Sequence, residues 1–383
     1  MEPYLPNYLK GKNRRLVFDL LRERGQMSRA EITRDTGMSF PTAMKVVDAF
    51  LEKGLLVELD ETGPAAGAGR KGRLLRFEPG AYRAVGVECE GRFARVGLAD
   101  MAGGVQARET IELGDFAHTR DLSPLAAAIR RMCAAANGAP VLGVCIGFPA
   151  NLDPDAAAIV SYAAMDIQQP TSFAQVFPAF WREVELPVYL ENDANLACEG
   201  EAFLRRGAGG AANMLYLSIG SGCGGAVRLD GKLRRGARCR AGEVGAMLLQ
   251  PALGAPGRSA ARETLEDAVC LAALERRFGA ALRDGAQPGE ASAQAMRDYL
   301  CGPLSGAVYS LVMTLDVELC VLAGIVPGAL GMQLCTQVSE ALRAALPEST
   351  PVRVEPSVSA DAGVIGAAAT VFERSLDALL GSG

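Results

Sequence analysis

Two short stretches in the middle of the chain carry residue types that suit the binding of a polar ligand. In Val188-Tyr-Leu-Glu-Asn-Asp-Ala-Asn195 an apolar run is followed by polar residues and then by a helical pattern, so Asp193 ends a predicted strand, where a carboxylate can face a cleft. In Leu217-Ser-Ile-Gly-Ser-Gly-Cys-Gly-Gly-Ala-Val227 glycines separate two apolar runs. Glycines let backbone N–H groups turn toward a phosphate or another polar group. The residues of this turn are Gly220, Ser221, Gly222 and Gly224.

A second set of polar residues lies near the N-terminus and suits the binding of nucleic acid. Ser39, Thr42 and Lys45 are spaced three apart within a helical pattern, on the side that is not used for packing. Side chains in such a position reach base edges or phosphates in the major groove. A later basic segment is rich in glycine, which lets an arginine enter a narrow minor groove. Its basic residues are Arg70, Lys71 and Arg73.

Three predicted helices position the first polar set. Apolar residues at helical spacing predict a first helix over residues 13–24. Ser28 and Glu31 form a capping-box pattern that begins a second helix, which ends at Gly37. Ser39 is the predicted N-cap of the third helix, which is the one that would enter DNA.

Two β-prone runs follow the helices and predict the hairpin of a wing. They span residues 55–59 and 74–77, and the basic glycine-rich segment connects them. Three helices followed by a basic hairpin indicate a winged helix-turn-helix over residues 13–77. We interpret this module as a DNA-binding head. The alternative is a winged helix that is used for protein contact alone.

After residue 80 strands alternate with helices, which indicates an α/β body. The predicted strands cover residues 84–88, 94–99, 141–147, 188–190, 214–219 and 225–229. The predicted helices cover residues 121–136, 195–205, 262–278, 292–314 (with a break before Pro303) and 332–345. The sequence shows no internal repeat.

Composition limits the classes of protein that need to be considered. The chain has 383 residues, 49% of them hydrophobic, which is enough for a small module and a larger body. Residues 1–83 carry 15 Lys and Arg against 11 Asp and Glu, whereas the remainder carries 24 against 33. A basic head on an acidic body fits an anionic partner at the N-terminal end only.

Cysteine and histidine usage argues against several site types. Ten cysteines without a CxxC pair indicate reduced, buried thiols, and a single histidine, His118, excludes a histidine-rich metal site. The longest apolar run, around residues 319–330, is too short to span a bilayer. Residues 1–10 lack the pattern of a secretory signal. We therefore expect a cytoplasmic protein without membrane contact.

The two central stretches are followed by Asp230-Gly-Lys-Leu and Ala241-Gly-Glu-Val-Gly245. With these motifs the chain resembles the ROK family of repressors, open reading frames and kinases. The resemblance covers nearly the full chain. The wing segment Gly69-Arg-Lys-Gly-Arg73 is similar to the family's Gly-Arg-Pro. The resemblance implies a winged helix-turn-helix domain over residues 1–79. Over residues 80–383 it implies a two-lobed actin/hexokinase-like (ribonuclease H-like) sugar-kinase domain, usually as a homodimer or homotetramer. Lobe one would comprise residues 80–195 plus the C-terminal helix, and lobe two residues 196–365.

The resemblance also assigns four candidate ligand-binding residues. In family kinases the aspartate of Asn-Asp-Ala-Asn takes a proton from a sugar hydroxyl, and Asp193 matches it while Asn192 matches a sugar-binding neighbour. Glu243 matches the glutamate of the family's Gly-Glu-x-Gly-His motif, which binds sugar hydroxyls. Glu266 in Thr264-Leu-Glu matches a later family glutamate. The alternative for these carboxylates is solvated loop charge, and the matching flanks favour a ligand-facing role.

The departures from the family pattern concern phosphate and zinc. Family kinases begin the body with Asp-x-Gly-Gly-Thr-Lys, whereas this chain has Glu88-Cys-Glu-Gly-Arg-Phe93, with Glu90 at a glycine position. A carboxylate ~4 Å from a phosphate charge costs about 4 kcal/mol at an effective dielectric near 20. Ala246 stands where the family has a histidine, and residues 250–266 contain no cysteine. We therefore expect no bound ATP, no zinc and no other cofactor, with Asp193 at a vestigial catalytic position.

These observations lead to one expected function and two alternatives. We expect a transcriptional regulator of carbohydrate-related genes that binds operator DNA and is not an enzyme. The resemblance implies that a sugar or sugar derivative in the cleft relieves repression, with activation as the alternative. The first alternative is an ATP-dependent sugar kinase with a regulatory DNA-binding head. The second is a regulator that no longer binds any ligand.

Overall fold

The N-terminal head consists of three helices and a three-stranded antiparallel sheet. The structure, a computed structural model, describes residues 6–62, 73–206, 210–249, 263–279, 282 and 287–380. The head contains α1 Pro6–Arg24, β1 Gln26–Ser28, α2 Arg29–Thr36, α3 Phe40–Glu52, β2 Leu56–Thr62 and β3 Arg73–Phe77, with strand order β1-β3-β2. This is the winged helix-turn-helix that the sequence predicts. The short strand β1 was not predicted, and α1 begins about two turns earlier than expected.

A side-chain capping bond marks the start of α2 but not that of α3. The Ser28 hydroxyl accepts from the Glu31 N–H at 3.3 Å and the Glu31 carboxylate accepts from the Ser28 N–H at 2.8 Å, which confirms the predicted capping box. Ser39 occupies the N-cap position of α3, but its side chain makes no capping bond. Its hydroxyl lies 2.8 Å from the hydroxyl of Thr42 instead. Ser39 is therefore the N-cap residue of α3, as predicted, but without a side-chain capping bond.

The body continues from the head as a mixture of strands and helices. Its strands are β4 Arg83–Glu90, β5 Phe93–Asp100, β6 Val105–Glu112, β7 Val141–Phe148, β8 Asn151–Asp153, β9 Ala158–Ser161, β10 Thr171–Ser172, β11 Val188–Asn192, β12 Met214–Ile219, β13 Cys223–Leu229, β14 Lys232–Arg234, β15 Leu319–Ala323 and β16 Arg353–Pro356. Its helices are α4 Phe116–Thr119, α5 Ser123–Ala134, α6 Phe173–Val176, α7 Pro178–Glu183, α8 Asp193–Leu204, α9 Leu265–Val269, α10 Leu271–Phe278, α11 Glu290–Leu315, α12 Ile325–Leu330, α13 Met332–Ala345 and α14 Ala362–Leu379.

Two five-stranded sheets of the same topology form the body. Their strand orders are β6-β5-β4-β7-β11 and β14-β13-β12-β15-β16. In each sheet the first three strands in chain order form an antiparallel meander, the fourth pairs in parallel with the first, and the fifth pairs in parallel with the fourth. The body is thus a structural duplication that the sequence does not reveal. In each half, a long helix follows the fifth strand, α8 in the first and α14 in the second.

These two long helices, which we call the helix pair, touch backbone to backbone. A Cβ at Gly366 would lie 1.9 Å from the carbonyl oxygen of Leu196, and a Cβ at Gly200 would lie 1.8 Å from that of Ala362. Only glycine permits such an approach at either position. The helix pair therefore packs as one unit between the halves of the body, with α14 also covering β4, β5 and β7.

Two predicted helix boundaries in the second half were wrong. Residues 262–278 were predicted as one helix, but α9 and α10 are separate because the chain turns at Cys270 and the Leu271 N–H donates to the Gly220 carbonyl at 2.8 Å. No break occurs before Pro303, since α11 runs through it. Burial of Leu300 and Leu304 on either side outweighs the one backbone hydrogen bond that proline removes.

The close contact within the helix pair makes a prediction about stability. Gly366→Ala should lower the free energy of unfolding by about 3 kcal/mol, because the added methyl overlaps a carbonyl oxygen that belongs to backbone. Urea denaturation of the full chain measures this change. Gly306→Ala in α11 is the matched control, because apart from the adjoining backbone of its own helix no atom of the described residues lies within 4 Å of its Cβ. The control should be neutral or stabilising by up to about 1 kcal/mol. Equal effects of the two substitutions would contradict the contact.

Candidate functional site

A cavity of about 1340 Å³ lies between the two halves of the body. The β4–β5 turn forms one wall and the β12–β13 turn the opposite wall, so equivalent turns of the duplicated halves face each other across it. The cavity brings together every residue predicted for the ligand and for the phosphate turn. These residues are Asn192, Asp193, Glu243, Glu266, Gly220, Ser221, Gly222 and Gly224.

Asp193 is the first residue of α8 and lines the cavity. Burial raises the pKa of its carboxyl to about 6, although a hydrogen bond from the Ala194 N–H at 2.9 Å acts in the opposite direction. The nearby negative charge of Glu90 raises the pKa further. Asp193 is therefore a carboxylate that accepts a proton near neutral pH, which suits a general base or an acceptor for a ligand hydroxyl.

Asn192 has a structural role that the sequence did not indicate. Its side-chain oxygen accepts from the Asn195 N–H at 3.1 Å and so caps α8, and its amide nitrogen donates to the Ala150 carbonyl at 3.3 Å. One N–H and one lone pair remain for a ligand. The preceding residue, Glu191, is buried and pairs with Arg235 at 2.6 Å. This ion pair connects the end of β11 to the residue that follows β14 in the other half of the body.

The carboxylate of Glu266 fills the position at which the glycine turn could hold an external anion. Its Oε2 accepts from the Cys223 N–H at 2.8 Å, and a Cβ at Gly222 would lie 2.9 Å from the same oxygen. A backbone N–H that could receive a phosphate oxygen therefore binds a carboxylate of the chain itself. Glu266 lines the cavity, as predicted, but it contacts the turn rather than standing free.

Glu90 lies against the same turn from the opposite wall. A Cβ at Gly220 would be 3.2 Å from the Oε1 of Glu90. The Arg95 guanidinium pairs with the Glu90 carboxylate at 3.4 Å. Arg95 also pairs with Glu88 at 3.0 Å. Burial raises the pKa of Glu88 to about 7, against the effect of Arg95 and with a further contribution from Glu90. Glu88, Glu90 and Asp193 thus form an acidic cluster with one compensating cation.

Glu88 and Arg95 were not predicted as site residues, although a signal for them exists. They are directly opposite each other in the β4–β5 hairpin. Once the strand register is known, a Glu–Arg pair on the cavity face follows from it. The register depends on the position of the turn, which the sequence analysis did not fix.

Glu243 lies on a further part of the cavity wall with a partner that the sequence analysis missed. The Asn151 amide, in the orientation that satisfies both its ends, donates to Glu243 at 2.8 Å and accepts from Ser161 at 3.0 Å. Burial raises the pKa of Glu243, and Arg240 acts against this rise. Asn151, Ser161 and Glu243 together offer the mixture of donors and acceptors that neighbouring hydroxyl groups require.

The exposed face of α3 carries the residues predicted to contact DNA. Ser39 and Lys45 are exposed, and Thr42 is half-buried and paired with Ser39. Arg73 begins β3, is exposed, and lies 3.4 Å from Glu58. The other two predicted residues, Arg70 and Lys71, lie outside the described residues.

Phe40 is the largest exposed apolar side chain on this face. It is the first residue of α3 and is 56% exposed, next to Ser39 and Thr42, whose hydroxyls are engaged with each other. An aromatic ring at the start of a recognition helix can contact the methyl group of thymine in the major groove. The sequence analysis missed Phe40 because a phenylalanine within a helical pattern is usually assigned to the core.

Comparison with known proteins identifies the family. A model of the ROK family matches residues 84–374, which is more than half of the chain. The chain belongs to the ROK family. Among the residues that the structure describes, no helix is long and apolar enough to cross a membrane.

Sequence relatives include both repressors and kinases. The xylose repressor of Caldicellulosiruptor bescii is 27% identical over 241 residues, covering 62% of this chain and 58% of that protein. The glucokinase of Halalkalibacterium halodurans is 34% identical over 141 residues, covering 35% of this chain and 40% of that protein. The chain spans about half the length of these curated relatives.

Solved structures share the fold. A ROK family transcriptional regulator, described as a homologue of the E. coli MLC protein, superposes with a TM-score of 0.76 at 17% identity, covering 97% of this chain and 98% of that one. The ROK hexokinase of Thermus thermophilus superposes with a TM-score of 0.59 at 26% identity, covering 76% of this chain and 98% of that one. The ROK kinase-like fold of the body is therefore established, as the sequence predicted.

The raised pKa of Glu88 makes a prediction about pH. Its value of about 7 exceeds the ordinary 4.5, so the folded state binds a proton more tightly than the unfolded state. This contribution to stability is complete below pH 4.5 and is lost as the pH rises through 7. Glu88→Gln, which cannot ionise, should raise the free energy of unfolding at pH 8 by about 2 kcal/mol and flatten its decline between pH 5 and 7.

Urea denaturation at several pH values checks this prediction. Glu112→Gln is the matched control, because Glu112 also pairs with an arginine but is 57% exposed. The control curve should run parallel to that of the unaltered protein. A parallel curve for Glu88→Gln as well would show that this carboxyl ionises normally in the folded state.

Proposed function

We propose that this protein is a DNA-binding transcriptional regulator whose head responds to an unphosphorylated sugar or sugar derivative in the cavity. Ligand binding would relieve repression of carbohydrate-related genes, and two heads of a homo-oligomer would bind an inverted-repeat operator. The observation that carries the proposal is the glycine turn, where Glu266 accepts from the Cys223 N–H and Glu90 lies against Gly220 beside an open cavity.

The electrostatics of the cavity support a regulatory rather than a phosphoryl-transfer role. A transferred phosphoryl group requires cations and N–H donors at its oxygens. Here Glu90 and Glu266 occupy both sides of the turn, and Arg95 is paired with two carboxylates. The same charges disfavour an effector that carries a phosphate. Neutral hydroxyl groups, in contrast, can bind to Glu243, Asn151 and Asp193 without a charge penalty.

The head supports binding to DNA. Its exposed α3 face presents hydroxyl, ammonium and aromatic groups, and the first 83 residues are net basic while the remainder is net acidic. A module that binds only protein does not require this charge difference. The repressors among the relatives are consistent with the same role.

An electrophoretic mobility shift with the promoter region of the protein's own gene tests the proposal. The full chain should retard this duplex in the presence of excess unrelated duplex, and increasing salt should weaken the binding. A xylose, glucose and N-acetylglucosamine panel should then contain a sugar that weakens retardation. Failure to discriminate between promoter and unrelated DNA at every salt concentration would reject the DNA-binding role.

Phe40 makes a prediction about specificity. Phe40→Ala should weaken promoter binding by about tenfold, because a bidentate or methyl contact to a base contributes on the order of 1–3 kcal/mol. Replacing thymine by uracil in the bound site removes only the methyl group. At one position of each half-site, this replacement should weaken DNA binding by the unaltered protein. The same replacement should have no effect on Phe40→Ala.

Val57→Ala serves as the control for this experiment. Val57 is also an exposed apolar residue of the head, at 39% exposure, but it lies on β2 rather than on α3. Its substitution should leave binding to both duplexes unchanged. If uracil weakens Phe40→Ala as much as the unaltered protein, the aromatic ring does not contact the methyl group.

A sugar kinase with a regulatory head is the second candidate, and Asp193 favours it. This carboxylate lines the cavity with a pKa of about 6, which suits a base that accepts a proton from a sugar hydroxyl. ADP release on the same sugar panel is the test. Turnover by the unaltered protein that Asp193→Asn abolishes would favour the kinase over the regulator.

Glu90 makes a related prediction about nucleotides. Glu90→Gly should raise the affinity for ATP by at least about tenfold, since it removes a negative charge from the position that faces the glycine turn. Isothermal titration with ATP and magnesium measures the change. Glu183→Gln, at an exposed ion pair with Arg130 and outside the cavity lining, controls for net charge. Equal ATP affinity in both variants would show that Glu90 does not exclude the nucleotide.

A further inference from the structure

Both members of the helix pair begin at the cavity and end on the head. At the cavity, Asp193 and Ala197 of α8 and Ala362 and Gly363 of α14 line the wall. The two helices extend for 12 and 18 residues from there. Their far ends contact α1, the first helix of the head, at two separate places.

The first place joins the end of α14 to the middle of α1. Arg14 donates to the Leu380 carbonyl at 2.8 Å, and Arg15 donates to the Glu373 carbonyl at 3.0 Å. A Cβ at Gly11 would lie 3.0 Å from the carboxylate of Asp377. Apolar side chains of the two helices belong to one buried cluster. Its members on α1 and α14 include Val17, Phe18, Leu21, Val371, Phe372 and Leu376.

The second place joins the end of α8 to the last turns of α1. The Arg22 guanidinium lies 5.1 Å from the ring centre of Phe18 and 4.9 Å from that of Phe203, and Arg206 lies 4.1 Å from the ring centre of Phe203. Burial and the charge of Arg206 lower the pKa of Arg22 to about 10, against the effect of Asp19. Two like charges thus share one aromatic ring.

Arg22 makes this second contact sensitive to displacement. Its side chain is 4% exposed, and its Nε and Nη1 have no hydrogen-bond partner in the described part of the chain. A buried donor without a partner costs on the order of 1–3 kcal/mol. Asp19, on the same helix, pairs with Arg22 at 2.6 Å, so stacking on Phe203 is what joins Arg22 to α8, and a small movement of Phe203 changes the free energy of this contact.

The cavity ends of the helix pair are also sensitive to displacement, because cavity carboxylates lie at both of them. The carboxylate of Glu88 lies against the first turn of α14, where a Cβ at Gly363 would be 2.3 Å from its Cδ. Asp193 begins α8 and takes part in the same acidic cluster. A ligand that binds these carboxylates changes the position or charge of groups in direct contact with both helices.

We propose that the helix pair transmits occupancy of the cavity to the head. Because Gly200 and Gly366 allow backbone contact, the two helices shift together when Glu88 or Asp193 moves. Their far ends then displace α1 at Arg14 and at Arg22, which reorients α3 relative to the body. This coupling supplies the regulation of the proposed function and rests on that function for its biological output.

Hydrogen exchange on the full chain tests the coupling without DNA or sugar. Gly363→Leu places a side chain between the first turn of α14 and Glu88 and so displaces the cavity end of the pair. The amides of residues 11–22 in α1 should then exchange at least about threefold faster, as should those in the first turn of α14. Gly306→Ala, whose Cβ has no atom of the described residues within 4 Å apart from the adjoining backbone of its own helix, should change neither segment.

Faster exchange in α14 with unchanged exchange in α1 would overturn the proposal. Should Gly363→Leu not fold, Gly363→Ala and Glu88→Ala alter the same contact with smaller changes in volume, and the same criterion applies to them. Adding Arg22→Met should reduce the response of α1 at least about twofold, because it removes the contact with Phe203. A negative gel shift with a positive exchange result would reject the DNA-binding role and leave the coupling intact.

Discussion

The backbone contact between α8 and α14 is the constraint on which the rest of the structure depends. Each helix follows the fifth strand of its own sheet, so their contact joins the two halves of the duplicated body. Gly200 and Gly366 let the helices approach until a Cβ would overlap a carbonyl oxygen. This approach brings Asp193 and Gly363 to one cavity and leaves the far ends of both helices available to α1.

Electrostatics decides what the cavity can hold. The opposed turns of the two halves form an arrangement that suits a nucleotide in the family's kinases. In this chain, however, Glu90 stands at a family glycine position and lies against Gly220, while Glu266, which matches a family glutamate, accepts from the Cys223 N–H. Glu266 accepts a hydrogen bond from one backbone N–H of the turn, and Glu90 places a second negative charge against Gly220. The fold is therefore retained, while two carboxylates of the chain lie against the glycine turn.

Structural elements that depend on neighbouring residues could be predicted from the sequence. The Ser28–Glu31 capping box, strand Met214–Ile219 and helix Met332–Ala345 all follow from local spacing, and all agree with the structure. What it could not predict depends on residues far apart in the chain. The duplicated topology, the Glu88–Arg95 pair and the hydrogen bond from Leu271 to Gly220 that separates α9 from α10 are examples. The candidate residues were found largely through motif resemblance, whereas their partners Asn151 and Arg95 required the fold.

The raised pKa of Asp193 does not by itself distinguish a catalytic base from a binding group. Burial and the charge of Glu90 cause the rise, and Glu90 stands where a kinase would need space for phosphates. Burial is the main cause of the raised pKa of Asp193, and the charge of Glu90, which adds to it, also opposes phosphoryl transfer. A hydroxyl group that donates a hydrogen bond to this carboxylate stabilises its charged form at the start of α8. Because α8 and α14 lead from the cavity to the winged helix-turn-helix head, such a contact suits the sensor role proposed above.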